Sequence, residues 1–176
     1  MKAPTLILAL LLVLGMGACG DGKPGGAGPA GPPLPSGGVQ VFPPAPALPA
    51  DIRAFSGGWH GVWVDPDHPD RGIPEVLIVE EVISQDEVRV VLSWGDCPVC
   101  RSKAGWRRFT GKTAKICLDW RRLPEPFSRV SPDTLGNKKV LYFGYPEGRV
   151  FTFVLEDQDQ LIGTDGVGAI RMSRLH

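Results

Sequence analysis

The chain has 176 residues, with 19 Lys and Arg against 19 Asp and Glu, four cysteines, 23 glycines and 18 prolines. With no net charge and no basic stripe interleaved with aromatic residues, nothing in it steers toward nucleic acid or an acidic surface. Its length allows one domain once an export signal and a linker are set apart.

Met1 and Lys2 make a short positive start, and Leu6 to Met16 is apolar apart from Gly15. Gly17 and Ala18 then place small residues before Cys19. This pattern predicts a signal peptide over residues 1–18, too short to span a bilayer. Met16-Gly17-Ala18-Cys19 resembles a bacterial lipobox, which implies that Cys19 becomes the lipidated N-terminus. The plainer alternative is a secretory signal cut near Ala18. Each buried acyl CH₂ contributes about 0.8 kcal/mol, so several chains anchor stably where one is marginal. The resemblance therefore implies an exported protein held on a bacterial cell membrane. Gly20, standing where Asp tends to signal inner-membrane retention, implies the outer membrane in a Gram-negative host.

From Gly20 to Ala50 the composition is mostly Gly, Pro and Ala, with Phe42 the single aromatic residue and Asp21 and Lys23 the charges. Such a segment buries too little apolar surface to offset the entropy of ordering it. Residues 19–50 therefore read as the lipidated cysteine followed by a disordered tether. Four G-x-y triplets over 22–33 stop at Leu34, short of a collagen helix.

Residues 51–176 carry a pattern of period two. F-S-G-G-W-H-G-V-W, residues 55–63, opens a strand that puts Trp59, Gly61 and Trp63 on one face. D-P-D-H-P-D-R, residues 65–71, gathers Asp65, Asp67, His68 and Asp70 in an acidic loop without EF-hand spacing. The reading is a solvated turn, with Ca²⁺ binding as the minor alternative. Glu80 and Glu81 interrupt an apolar strand, so one is expected to point inward and either to pair with Arg171 or Arg174, the commoner outcome, or to have a raised pKa.

After a turn at Ser84 to Glu87, Val88, Val90, Leu92 and Trp94 alternate with Arg89, Val91 and Ser93. Between Thr113 and Trp120, Ala114, Ile116, Leu118 and Trp120 form the apolar row, with Cys117 in the opposite row. Residues 121–138 hold three prolines and show no period, and read as a long connection. Tyr145 to Gly148 and Asp157 to Gln160 are turn signals flanking the Phe151, Phe153, Leu155 row. Asp157, Asp159 and Asp165 invite the same metal reading as the first acidic loop, and the same discount. Ile170, Met172 and Arg174 share the face of a last strand. Six to eight short strands with Gly, Asp and Pro punctuation predict an all-β antiparallel sandwich or barrel.

The two ends sharpen this into a barrel. An early glycine-x-tryptophan strand and a late arginine able to lie over Trp59 resemble the lipocalin and fatty-acid-binding superfamily. The run F-x-G-x-W-x-G-x-W, then L-I-V-E-E-V, V-V-L-S-W-G-D, L-E-D-Q-D-Q-L-I-G and I-R-M-S-R resembles a family of small exported bacterial lipocalin-like domains. That resemblance spans nearly all of residues 55–174 and implies an up-and-down β-barrel closed by Trp59 and Arg174. It implies no activity.

The chain departs from that pattern at Cys97-Pro98-Val99-Cys100 and in the 121–138 connection. In an oxidising compartment the C-x-x-C reads first as a structural disulfide. A redox centre would need a helix start at the motif, and zinc a fuller ligand set than Cys97, Cys100, Cys117, His60 and His68. Cys97 pairs with Cys100, or with Cys117 across a longer loop. No Ser-His-Asp, G-x-S-x-G, P-loop or zincin pattern occurs, so no enzyme and no cofactor is expected. The leading expectation is a noncatalytic barrel holding a small apolar or amphipathic ligand. A filled barrel docking an envelope protein is the alternative, and a thiol-dependent redox protein stands behind both.

Overall fold

A computed structural model describes residues 31–65, 67–84, 86–97, 102–110, 114–117, 138–145 and 148–176. Among the described residues one short helix, α1 (Ala50–Arg53), precedes nine strands: β1 (Gly57–Asp65), β2 (His68–Val82), β3 (Val88–Trp94), β4 (Gly105–Phe109), β5 (Ala114–Cys117), β6 (Val140–Gly144), β7 (Val150–Leu155), β8 (Gln160–Thr164) and β9 (Ala169–Arg174). The nine strands among the described residues exceed the six to eight read from turn signals, because Gly105–Phe109 is too short and too polar to show a period. The strands form one antiparallel sheet in the order β4-β3-β2-β1-β9-β8-β7-β6-β5.

The chain thus runs up and down, and the first and last strands pair directly, Trp59 opposite Arg174 and Trp63 opposite Ile170. The curled sheet brings its two edges, β4 and β5, toward one another. Phe109 of β4 packs on Phe143 of β6 at 4.8 Å between ring centroids, so the barrel is nearly closed. Alternation decides which residues fill it. Trp59, Leu77, Val79, Val88, Val90, Leu92, Phe143, Phe153, Leu161 and Met172 make the core. Phe143 stacks on Phe151 at 5.5 Å and on Phe153 at 5.6 Å, giving a ladder of rings along the interior.

Part of the linker is packed, and the acidic stretch forms its turn within a hairpin. Residues 31–49, assigned to the disordered tether, lie against the barrel wall. The Phe42 N–H donates to Glu80 O at 2.7 Å, Ser93 Oγ bonds Pro33 O, Pro35 is buried and Leu48 packs against the core. A proline-rich strand of chain loses little entropy on docking and here covers the outer side chains of β2 and β3. The acidic stretch 65–71 is a turn, as its residues imply, in the form of a tight hairpin. Asp65 pairs with His68 in register and its Oδ1 accepts the Asp67 N–H at 2.9 Å. Residues 1–30, with the signal peptide and Cys19, lie outside the described residues, as do Cys100 and residues 121–137.

Candidate functional site at the barrel mouth

One end of the barrel is plugged. α1 delivers Ile52 and Phe55 onto Trp59, all fully buried, and the Trp59 indole N–H donates to Phe55 O at 3.0 Å. The Arg174 guanidinium stands 4.0 Å from the Trp59 ring centroid, within cation–π range. Its Nη1 donates to Ser56 O and Nη2 to Ala54 O, both at 2.8 Å, while Nε reaches Gln158 O at 3.0 Å. The same fork therefore ties the turn after α1 to the β7–β8 turn. Gly57 begins β1 at φ +117, and a Cβ there would lie 3.0 Å from Arg174 Nη1, so both backbone and space call for glycine. Arg174→Met is expected to cost about 1–3 kcal/mol by urea denaturation, and Arg174→Lys to recover little, since an ammonium cannot reach three carbonyls in a planar fork.

The opposite end is open. The ends of β1, β3 and β8 and the starts of β2 and β7 surround a pocket of about 580 Å³. Trp63, Ile73, Leu92, Trp94 and Phe151 supply its apolar walls, with Tyr145, Arg149, Asp165 and Glu75 among the polar groups. Trp63 meets Phe151 edge-on at 5.9 Å. The Trp94 indole N–H donates to Lys103 O at 3.0 Å, which locks that ring against the β3–β4 hairpin. Gly168 closes the rim because a Cβ there would lie 2.2 Å from Trp63 Nε1.

The inward carboxylate is Glu75, not Glu80 or Glu81. Glu80 turns to the outer side of the wall and accepts Arg108 Nε and Nη2, each at 2.8 Å. Glu81 pairs with Arg89 at 3.0 Å, and Arg171 with Glu156. Glu75 belongs to the interior row Ile73, Glu75, Leu77, Val79 and is 7% exposed, with Oε2 bonded to no group among the described residues. Burial pushes its carboxyl up to about 8, with Arg149 pulling down and Asp165 pushing up by lesser amounts. The sequence signal that finds Glu75 is its place two residues before Leu77 in a period-two row.

Across the pocket, Asp165 accepts Arg149 Nε at 2.8 Å and the N–H groups of Val167 and Gly168 at 3.0 and 2.9 Å. It is saturated. Arg149 lies 5.1 Å from the Phe151 centroid, and Arg107 of β4 4.6 Å from that of Tyr145.

The cysteine motif stands at the lip. Cys97 lines the pocket, is buried, and exchanges backbone hydrogen bonds with Ser102 at 2.8 and 3.1 Å. Cys117 ends β5 opposite Val140. Among the described residues, no three His, Cys, Asp or Glu side chains are grouped to hold a metal. Asp65 is engaged by His68 at 3.4 Å, and Asp157 by the Asp159 N–H at 2.8 Å.

Fold and site together define a pocketed antiparallel β-barrel, plugged at one end and open at the other, compatible with a lipocalin-like fold. No family model, curated protein or solved structure matches the chain.

Proposed function

We propose that this chain is an exported lipoprotein of the small bacterial lipocalin-like (calycin-type) kind, lipidated at Cys19, whose barrel holds a small apolar or amphipathic ligand without catalysis. The observation that carries the reading is the mouth pocket. Its volume of about 580 Å³ falls in the range of small-molecule sites, and aromatic walls converge on a few polar groups. A barrel that served only as a solid body would gain more from filling that space with side chains, as the plugged end does. The C-x-x-C belongs to this reading as a clamp: a Cys97–Cys100 disulfide, or one from Cys97 to Cys117, would hold the lip of the pocket in shape.

Native mass spectrometry of the delipidated protein purified from its own cells tests this, with and without reductant. The expected spectrum shows a noncovalent small-molecule adduct and a mass two hydrogens lighter before reduction. A second check fills the pocket. Ile73→Trp is expected to weaken binding of an apolar fluorescent dye by roughly tenfold or more while unfolding stays cooperative, at an overpacking cost of about 1–3 kcal/mol. A bare protein that takes up no apolar probe would overturn the reading.

One observation favours a second reading. On the outer wall, Val62, Val76 and Ile162 line a groove of about 780 Å³ between β1, β2, β8 and β9, and Val62 is 48% exposed. Such a face suits an envelope protein partner. Photo-crosslinking from position 62 in intact cells, together with an empty pocket, would replace the ligand reading by this one.

A further inference from the structure

We infer that the mouth pocket selects a primary or secondary amine on an apolar body, its ammonium N–H seated on Glu75 Oε2 and its chain laid against Trp63, Trp94 and Phe151. The inference rests on the ligand-binding reading above and names the class of ligand.

Three features lead to it. First, Glu75 Oε2 is a buried acceptor that bonds no group among the described residues, yet it lines a pocket open to solvent. A buried polar atom without a partner is costly, so a ligand that supplies an N–H recovers what folding left unmade. Second, among the described residues the cations at the mouth are engaged. Arg149 is held by Asp165, and Arg107 lies over the Tyr145 ring. An anionic head would have to compete for them. Third, the walls are aromatic faces, which attract a cation through their quadrupoles.

The charges facing Glu75 point the same way. Asp65 stands at the end of β1, Arg107 on β4, Arg149 at the start of β7 and Asp165 after β8, with Tyr145 after β6 as a further titratable group. On β3, Leu92 and Trp94 bring no charge, and Cys97 lies at the lip. Among the described residues Arg107 and Arg149 balance Asp65 and Asp165, so these groups carry no net charge until Glu75 ionises. An ammonium ion supplies the compensating charge. Because burial favours the protonated carboxyl, seating the ammonium at neutral pH drives the Glu75 proton into solvent: the acid becomes a carboxylate, the amine keeps all its protons, and one proton leaves per ligand bound.

The test uses four probes of equal chain length on the folded protein: n-octylamine, octyltrimethylammonium, 1-octanol and octanoate. Binding is read by quenching of tryptophan fluorescence and by titration calorimetry in two buffers of different ionisation enthalpy. Octylamine is expected to bind roughly tenfold or more tightly than the other three. Its affinity should rise toward tenfold per pH unit between about pH 6 and pH 7.5, with close to one proton released. Glu75→Gln is expected to remove that advantage, with a cooperative urea unfolding transition reporting an intact fold. If the variant does not fold, proton release from the unaltered protein still decides. Octanol or octanoate binding as tightly as octylamine, octyltrimethylammonium matching it, or octylamine binding without proton release overturns the amine inference and leaves the ligand reading standing. Failure of all four probes removes both.

Discussion

Trp59→Ala is expected to lower the unfolding free energy by about 3–5 kcal/mol, the upper part of the range for a large-to-small change in a core. The indole is fully buried and joins three parts of the chain. α1 and the turn after it rest on the ring and accept its N–H at Phe55 O. The last strand pairs with β1 at this residue and lays Arg174 over the ring. Alanine removes the packing, frees the Phe55 carbonyl and takes away the face beneath a guanidinium that is only partly exposed. A neighbouring leucine could not collapse into the gap without dragging α1, so relaxation should be small. Urea denaturation followed by far-UV circular dichroism measures it. A loss below about 1 kcal/mol would mean that the plug contributes little to the closed barrel.

Glu75→Gln should raise stability, and by an amount that depends on pH. The carboxyl has an ordinary value of 4.5 when the chain is unfolded and about 8 in the folded barrel. Between those two values the folded protein keeps a proton that the unfolded chain has lost. Its contribution is therefore most favourable below about pH 4.5, is lost as pH rises toward about 8, and changes no further above that. The slope approaches about 1.4 kcal/mol per pH unit inside the window, so the whole effect is on the order of 5 kcal/mol. Glutamine cannot ionise. The variant should match the native protein near pH 5 and exceed it by several kcal/mol near pH 9, measured by denaturation at both values. Equal slopes in the two proteins would place Glu75 in water and not in the barrel wall.

This carboxylate also marks where reading along the chain stopped short. L-I-V-E-E-V draws attention to Glu80 and Glu81 because they break an apolar run, whereas Glu75 sits beside prolines and passes for a strand end. Plain alternation after Val79 turns Glu80 outward to Arg108, and the bulge between Val79 and Glu81 shifts the register so that Glu81 also faces out and Val82 enters the core. A one-residue irregularity of that kind changes which face every later side chain occupies, and it leaves no mark in local composition. The tether ends earlier than its composition implies for a similar reason. Prolines and glycines over 31–49 have no periodicity of their own, and their order comes from the outer wall of β2 and β3, well beyond them in the chain.

Local chemistry by itself determined the all-β class, the inward rows of β1, β3, β7 and β9, and the turns at 84–87, 145–148 and 157–160. Alternation and turn residues act over a few positions, and a strand must show its buried face wherever its partners lie. Only the tertiary structure decided that β1 closes on β9, that α1 and Trp59 fill one end while the other holds a pocket of about 580 Å³, and that Cys97 stands at its lip. Those facts depend on residues of separate strands, Trp59 and Arg174 among them, meeting at a common depth. The curl and stagger of the whole sheet set that depth, and no stretch of chain carries it alone.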